Sequence, residues 1–223
     1  MRVWLPEAVT TTAPAIDRIF YAVLWITGIV FVLVQATLLV FLVRYRHRPG
    51  RAATYIHGHQ LIEVIWTVIP TLILVTLACY NQQVWSQVHG TPPPEDLQVE
   101  ITGEQFAWNI RYPGPDGAFG TPDDVTTINQ LHLPVDRTTL FHIKSKDVIH
   151  SFFVPQFRVK RDAVPGITGR LWVQPTATGS YEIACAELCG LGHYRMRGFL
   201  TIEPPDAFQA WLEQTRAESQ PPS

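Results

Sequence analysis

Two thiols, an imidazole and a thioether fall within the twelve residues Cys185-Ala186-Glu187-Leu188-Cys189-Gly190-Leu191-Gly192-His193-Tyr194-Arg195-Met196. These are soft donors, and the set suits copper or zinc rather than calcium or magnesium. Two glycines among them let the backbone turn tightly. Met196 is the one methionine after the initiator, and a core that used methionine for packing would draw on it more freely. A second imidazole is available from His150, in Asp147-Val148-Ile149-His150-Ser151-Phe152-Phe153-Val154-Pro155. Such a histidine, between a strand and an aromatic turn, could equally be an ordinary core or turn residue.

Three uses of this donor set stay open. A disulfide between Cys185 and Cys189 would leave His193 and Met196 without a role. A zinc ion could take Cys185, Cys189, His193 and His150 in a closed tetrahedron, leaving Met196 idle. A blue-copper site needs one cysteine, two histidines and a weak axial methionine, and this chain offers one cysteine more. Both thiolates could then bridge two coppers, each with one histidine. Met196 would be the outer ligand of one, and a backbone carbonyl such as that of Glu187 the outer ligand of the other. This last use employs every unusual residue of the stretch.

The rest of the chain must hold these groups. Its 223 residues carry a formal net charge of -2, without the basic excess of a general nucleic-acid binder. Hydrophobic residues make up 47% of it, but most lie in two runs before residue 81. Residues 1–17 are polar to mixed, with Pro6 and Pro14, and little order is expected there without a covering partner. Residues 19–43 contain no charge and as a helix reach about 37 Å, enough to cross a hydrocarbon core of about 30 Å. The run is longer than a signal-peptide core and lacks a small-residue cleavage site, so it reads as a retained helix. Arg44, Arg46, Arg48 and Arg51 follow with no acid before Glu63, which places residues 44–60 in the cytoplasm. Residues 61–80 form a second span, with Pro70 expected to kink it. The hairpin thus occupies residues 18–80, with everything after it outside. Cys79, in the second span, reads as a small buried hydrophobe. Of the remaining histidines, His47, His57 and His59 lie on the wrong side for the metal site. His89 falls in a linker at residues 81–94, stiffened by Pro92, Pro93 and Pro94, and His132 and His142 in strand-like runs.

Residues 95–204 read as an all-β domain. Leu97, Val99 and Ile101 alternate with polar residues, as do Phe141 and Ile143; Leu171 to Val173 and Phe199 to Ile202 give further strands. Turn residues separate them at Pro113-Gly114-Pro115-Asp116-Gly117, Pro165-Gly166 and Thr178-Gly179. Short strands so spaced suggest a sandwich or barrel. Residues 95–203 hold 13 acids and 10 bases, too weak an imbalance to name a partner. The Asp116, Asp123 and Asp124 loop lacks a calcium-loop spacing and reads as a solvated turn. Residues 205–223 place Phe208, Trp211 and Leu212 at helical spacing, with Asp206 as a possible cap and a frayed tail from Ser219.

The ligand loop resembles that of subunit II of respiratory haem-copper oxidases, the cytochrome c oxidase type that carries the dinuclear copper centre CuA. Cys-x3-Cys-x3-His-x2-Met at 185–196 matches the copper loop, and Asp147 to Pro155 the segment that supplies the upstream histidine. Lys160 to Gly166 resembles the loop facing the catalytic subunit, and Glu63 to Pro70 the start of the second helix. The resemblance implies a two-helix transmembrane hairpin followed by an all-β cupredoxin-like sandwich. It implies that His150, Cys185, Cys189, His193, Met196 and the Glu187 carbonyl hold two coppers. The Glu187 carboxylate would help bind magnesium shared with subunit I, and Glu63 would stand at the entrance of a proton path. Partners would be subunit I, which alone carries haem, subunit III, cytochrome c and membrane lipid, in the plasma (inner) membrane with the copper domain on the periplasmic side. Electrons would pass from cytochrome c through CuA to haem, reducing oxygen to water and coupled to proton translocation. Phe152 and Phe153 would help exclude water.

One departure concerns the donor. The family usually carries two tryptophans, one residue apart, after Gly-x-Gln, the first being where electrons enter. Here the run is Gly103-Glu104-Gln105-Phe106-Ala107-Trp108-Asn109-Ile110-Arg111-Tyr112. Phe106 replaces the first tryptophan, and Trp108 and Tyr112 remain as candidates for the region where electrons enter. A differently charged cytochrome c, or a donor held in a larger assembly, would accommodate the change. No Cys-x2-Cys-His is present, so no haem is covalently fused. A copper subunit of a nitric or nitrous oxide reductase, and a membrane-tethered metal carrier or zinc-stabilised module, are the alternatives. Quinol-oxidising relatives typically lack the copper ligands.

Overall fold

The structure, a computed structural model, describes residues 5–219. Two compact units divide the chain, Ala15–Gln87 on one hand and Met1–Pro14 with Val88–Ser223 on the other.

The first unit is a helical hairpin of α1 (Ala13–Arg44) and α2 (Gln60–His89). Both are long and apolar enough to cross a membrane, and neither buries its apolar stretch. Side chains apolar all round a helix need lipid or other helices as their surroundings. The Arg18 guanidinium donates to the Tyr80 hydroxyl at 3.2 Å, which ties the start of α1 to the later part of α2. The hydroxyls of Thr27, Thr67, Thr71 and Thr76 donate to carbonyls four residues back at 2.7–2.8 Å, so these polar groups are satisfied inside their own helices. The helix α2 runs through Pro70 and continues past residue 80 to His89. The linker expected over 81–94 is therefore helical for most of its length. Val84 and Val88, one helical turn apart and both buried, continue the apolar spacing. The chain leaves the helix only as Pro92–94 approach, where no N–H remains to continue it.

The second unit is built on two five-stranded sheets. One has the order β3-β2-β1-β5-β8, formed by β1 (Leu97–Glu104), β2 (Ala107–Tyr112), β3 (Val125–Ile128), β5 (Thr139–Ser145) and β8 (Gly169–Val173). The other has the order β4-β10-β9-β6-β7, from β4 (Gln130–Pro134), β6 (His150–Phe153), β7 (Lys160–Ala163), β9 (Gly179–Cys185) and β10 (Arg197–Glu203). The four segments expected as strands fall in β1, β5, β8 and β10. Burial alternates along β2, β8 and β10, and Val99, Ile101, Ile110, Leu131, Leu133, Phe141, Ile143, Phe152, Ile183 and Leu200 form a closed core. The loop 113–124 is turned by its own carboxylates, Asp116 accepting from Ala118 N at 2.9 Å and Asp124 from Gly120 N at 2.7 Å.

The N-terminal segment is ordered without a partner chain, against expectation. Its first four residues lie outside the described residues. Beyond them, Thr10 bridges Pro175, Val9 N donates to Gln156 O at 3.2 Å, and Thr176 N donates to Val9 O at 2.9 Å. Val9 is fully buried, so an apolar anchor and a short β-bridge fix a segment whose composition alone suggests a loose end. At the other terminus α3 spans Pro205–Ser219. Asp206 lies in its first turn rather than at the cap: Pro205 opens the helix, a position proline suits, and Phe208 N donates to Pro204 O at 3.0 Å. Phe208 and Leu212 are buried, and Trp211 stacks flat on His132, with centroids 3.9 Å apart and planes 5° apart. The tail beyond Ser219 lies outside the described residues.

Tyr112 belongs to this packing. It is fully buried beside Phe208 and Trp211, and its hydroxyl both accepts from His132 N at 2.7 Å and donates to His132 O at 3.0 Å. Tyr112→Phe leaves both backbone groups without that partner and is expected to cost about 1–3 kcal/mol, with metal content unchanged. Thermal denaturation of the full chain in detergent checks this; an unaltered melting temperature would mean that the hydroxyl contributes nothing.

Candidate metal centre

Strand register brings the candidate ligands together. In the second sheet β6 lies beside β9, and β9 beside β10. Phe152 pairs with Cys185 across the first junction, Arg197 with Ala184 across the second, and Cys185 N donates to Met196 O at 3.3 Å. The first residue of β6, the last of β9 and the residue before β10 are thus neighbours: His150, Cys185 and Met196. Between β9 and β10 the loop supplies Glu187, Cys189 and His193, the last in a short 3-10 turn His193–Arg195. His150, Cys189 and Met196 are buried, whereas Cys185, Glu187 and His193 are half-buried.

The cysteines are free thiols with Sγ atoms 3.9 Å apart, far beyond the roughly 2.05 Å of a disulfide. His150 Nδ1 lies 3.9 Å from Cys185 Sγ, His193 Nδ1 3.6 Å from Cys189 Sγ, and Met196 Sδ 3.7 Å from Cys189 Sγ. The Glu187 carbonyl lies 3.3 Å from Cys185 Sγ. Two donors on one tetrahedral ion, with metal–sulfur near 2.3 Å and metal–nitrogen near 2.0 Å, sit about 3.5 Å (S,N) or about 3.8 Å (S,S) apart. The residues present therefore fit soft metal binding in donor type and in spacing. Burial, reinforced by the adjacent Cys185, pushes the Cys189 thiol up to about 11. A metal must displace protons here, since thiolate is the binding form.

Several supporting residues were not singled out by the sequence reading. Asp147 Oδ1 lies 2.8 Å from His150 Nε2, and its two oxygens also accept from Val148 N at 2.6 Å and Gln105 N at 2.7 Å. Burial would raise the Asp147 carboxyl, but these hydrogen bonds outweigh it and hold the group below the usual carboxylate range. A carboxylate on the far nitrogen leaves Nδ1 of His150 facing Cys185 as the atom a metal could take, and fixes the ring. The Asp-x-x-His spacing was the available signal. Gln105 donates its amide to the Cys189 carbonyl, so the β1–β2 turn grips the ligand loop directly. Glycines make this approach possible. A Cβ at Gly103 would stand 2.9 Å from the His150 ring, one at Gly190 2.6 Å from Gln105 Nε2, and one at Gly192 2.4 Å from the Phe106 ring. Gly190 has a φ of +135°, a conformation that glycine favours.

The three aromatic candidates for the region where electrons enter separate. Phe106, at the β1–β2 turn, is 38% exposed and lies on Gly192 of the ligand loop. Trp108 has no exposed surface; it packs edge-on to His150 and Phe152, with centroids 6.1 and 5.7 Å away. Trp108, Ile110 and Tyr112 alternate along β2 and all point into the core, so neither Trp108 nor Tyr112 can touch a donor protein. Phe152 is fully buried and Phe153 half-buried. The Glu187 carboxylate is paired with Lys160 at 3.5 Å. Lys160 also pairs with Asp162 at 3.2 Å, and Asp162 accepts from the Ser151 hydroxyl at 2.7 Å. Glu63 stands in the first turn of α2, in the helical unit.

Comparison with known proteins gives the same answer for both units. A family model described as cytochrome c oxidase subunit II, periplasmic domain, matches residues 116–202, and one for the transmembrane domain of that subunit matches residues 1–84. The alternative cytochrome c oxidase subunit 2 of Bradyrhizobium diazoefficiens is 34% identical over 235 residues, covering 96% of this chain and 84% of that protein. Cytochrome c oxidase subunit 2 of Thermostichus vulcanus is 30% identical over 267 residues, covering 96% and 79%. The crystal structure of the periplasmic domain of subunit II of cytochrome oxidase from Bradyrhizobium japonicum superposes with a TM-score of 0.53 at 26% identity, covering 58% of this chain and 100% of that one. A membrane-anchoring helical pair, a two-sheet β-sandwich and a soft-donor cluster at one end of it are thus joined in one polypeptide, and the chain belongs to the cytochrome c oxidase subunit II family, the electron-transfer subunits of copper-containing terminal oxidases.

Proposed function

We infer that the chain holds a dinuclear copper centre, CuA, which accepts single electrons from cytochrome c and passes them to haem in subunit I, where oxygen is reduced to water. One observation carries the reading. The donors run in series, His150 Nδ1 to Cys185 Sγ to Cys189 Sγ to His193 Nδ1, in steps of 3.9, 3.9 and 3.6 Å. The cluster whose ligand atoms all lie within 4.8 Å of one another contains His150, Cys185 and Cys189 but not His193. A single tetrahedral zinc would need all four donors within about 3.8 Å of each other. Two ions sharing the thiolates need only that successive donors be close.

When bound, the copper pair supplies a one-electron couple whose charge is spread over two metals and two sulfurs. The chain's own residues do the rest. Asp147 orients His150, and the paired strands β6, β9 and β10 hold the ligands on a rigid frame, which keeps the geometry nearly the same in both redox states. Phe152 and Trp108 pack behind His150 and exclude water. Met196 and the Glu187 carbonyl stand at outer positions on opposite cysteines, where weak ligands tune a potential without building the site.

The two ends of Glu187 serve different ions in this reading. Its carbonyl faces Cys185, while its carboxylate, once released by Lys160, would supply one of the several oxygen ligands that magnesium takes, the others coming from water and subunit I. Glu63, beside the basic segment at the start of α2, marks the mouth of a proton path completed by subunit I, since a carboxylate at the edge of an apolar span is costly unless used. The arginines at 44–51 support a cytoplasmic position for that segment at the plasma membrane and, with it, a periplasmic one for the copper domain. Subunits I and III would cover the apolar helix faces.

Metal analysis of the purified complex is expected to give two coppers in this chain, with one unpaired spin shared between them; one zinc in their place would sink the reading. Met196→Leu is expected to keep both coppers and shift the redox potential, read by spectroelectrochemical titration. Asp147→Ala is expected to weaken copper retention by about 10–100-fold, measured by competition with a copper chelator. Glu63→Gln is expected to slow oxygen turnover while the copper spectrum stays unchanged; full turnover in that variant would take Glu63 off the proton path.

A further inference from the structure

The His150 ring rests against two residues of the first sheet. Gly103 of β1 pairs with Trp108 of β2, and the ring meets both. A Cβ at Gly103 would stand 2.9 Å from His150 Cδ2 and 3.0 Å from its Cγ, and the Trp108 indole meets the ring edge-on, with centroids 6.1 Å apart. The same indole meets Phe152 at 5.7 Å, and Phe152 pairs with Cys185. Trp108 thus backs both the histidine and the strand position opposite a thiol. Its ring has no polar hold of its own: the indole N–H is buried without a hydrogen-bond partner among the described residues, a cost that packing must offset. Where the ring stands is therefore decided by its backbone and by its neighbours.

That backbone is held by Asn129. Asn129 Oδ1 accepts from Trp108 N, and Asn129 N donates to Trp108 O, each at 2.8 Å. Asn129 is the single residue between β3 of the first sheet and β4 of the second. Its φ of +58° is a left-handed conformation that asparagine tolerates better than most residues. Its carbonyl accepts from Phe199 N at 2.8 Å, which fixes β10 three residues beyond Met196. Gly198 leaves room for this: a Cβ there would stand 3.3 Å from the Asn129 carbonyl oxygen and 3.4 Å from Trp108 Cδ1. One side chain and two backbone groups thus tie β2 to β10, the strand that follows Met196. We propose that Asn129 is a positioning residue for the metal centre: by clamping both backbone groups of Trp108 it fixes the surface against which His150 rests, and so sets where Nδ1 of His150 stands relative to Cys185. Asp147 holds the far nitrogen of the same ring, and Trp108 limits how far the ring can tilt. The proposal rests on the copper reading above and adds to it a residue that acts through Trp108.

The test uses the intact membrane complex and three substitutions that separate side chain from backbone. Asn129→Asp keeps the acceptor and tolerates the left-handed backbone, Asn129→Gly keeps only the backbone, and Asn129→Ala keeps neither. Asn129→Gly and Asn129→Ala are expected to change the copper hyperfine pattern in the electron spin spectrum and to shift the redox potential, read by spectroelectrochemical titration. Both are also expected to lose copper to a competing chelator about tenfold more readily, and Asn129→Asp to return all three properties toward those of the unsubstituted complex. Melting temperature is followed in parallel. An unchanged spectrum, potential and copper retention in Asn129→Gly would overturn the proposal, and so would a lowered melting temperature with those three unchanged, the mark of a merely structural residue. Should the Asn129 variants fail to assemble, Trp108→Phe keeps both backbone bonds and removes only the reach of the indole; a changed hyperfine pattern is expected there, and an unchanged one overturns the proposal. All of these outcomes leave the two-copper reading standing. A spectrum of the unsubstituted complex without a shared spin would overturn both.

Discussion

Two thiols 3.9 Å apart, one of them buried, cannot both shed their protons unaided. Like charges at that distance repel by about 4 kcal/mol even at an effective dielectric of about 20, and burial adds the loss of hydration. The high position of the Cys189 thiol expresses this. A cation between the sulfurs reverses the sign of every such term, so the same pocket that disfavours thiolates favours a thiolate-bound metal. The rest of the domain answers the need to keep the pair close and reduced, at a separation too wide for a disulfide.

Sheet pairing supplies that rigidity. Cys185 ends β9, which is bonded on one side to β6 and on the other to β10, so the residue cannot shift without breaking two ladders. Cys189 lies in a loop, and a loop by itself would not hold it. Gln105 reaches from the β1–β2 turn to the Cys189 carbonyl, and the same turn gives its backbone amide to Asp147, which holds His150. The first sheet thus braces both halves of a site whose candidate ligands all come from the second sheet and its β9–β10 loop. Glycine at 103, 190 and 192 is the steric condition for this: a methyl group at Gly103 would collide with the His150 ring, and one at Gly190 or Gly192 with Gln105 or Phe106 of the bracing turn.

What could be read in the sequence was whatever rested on short-range spacing. The clustering of soft donors at 185–196, the two apolar runs and the strands containing Val99, Phe141 and Ile202 were legible because their signals lie within a few residues of one another. The order of the N-terminal segment was not, because Thr10 finds its partner at Pro175. The length of α2 was obscured by the proline run, although the Val84–Val88 spacing pointed to continued helix. The burial of Trp108 and Tyr112 was legible in principle: with Ile110 they occupy alternate positions of β2, the mark of one inward face. Grouping them as an aromatic cluster with Phe106 set that periodicity aside. Asp147 was visible as a residue but not as a partner of His150, since an Asp-x-x-His spacing has meaning only once a turn closes it.

The exchange of an indole for a phenyl ring at position 106 follows a similar logic of contact. A tryptophan there would present an N–H to a docking protein; phenylalanine presents none. The exposed side of the ring is then wholly apolar, and Leu191, Gly192, Tyr194 and Arg195 line one depression with it. The inner side of the ring is a separate matter. It rests on the backbone at Gly192, a contact that any flat ring can make, and that backbone leads directly to His193. A change of ring at residue 106 therefore alters what its exposed side can offer a partner without altering the contact of its inner side with Gly192.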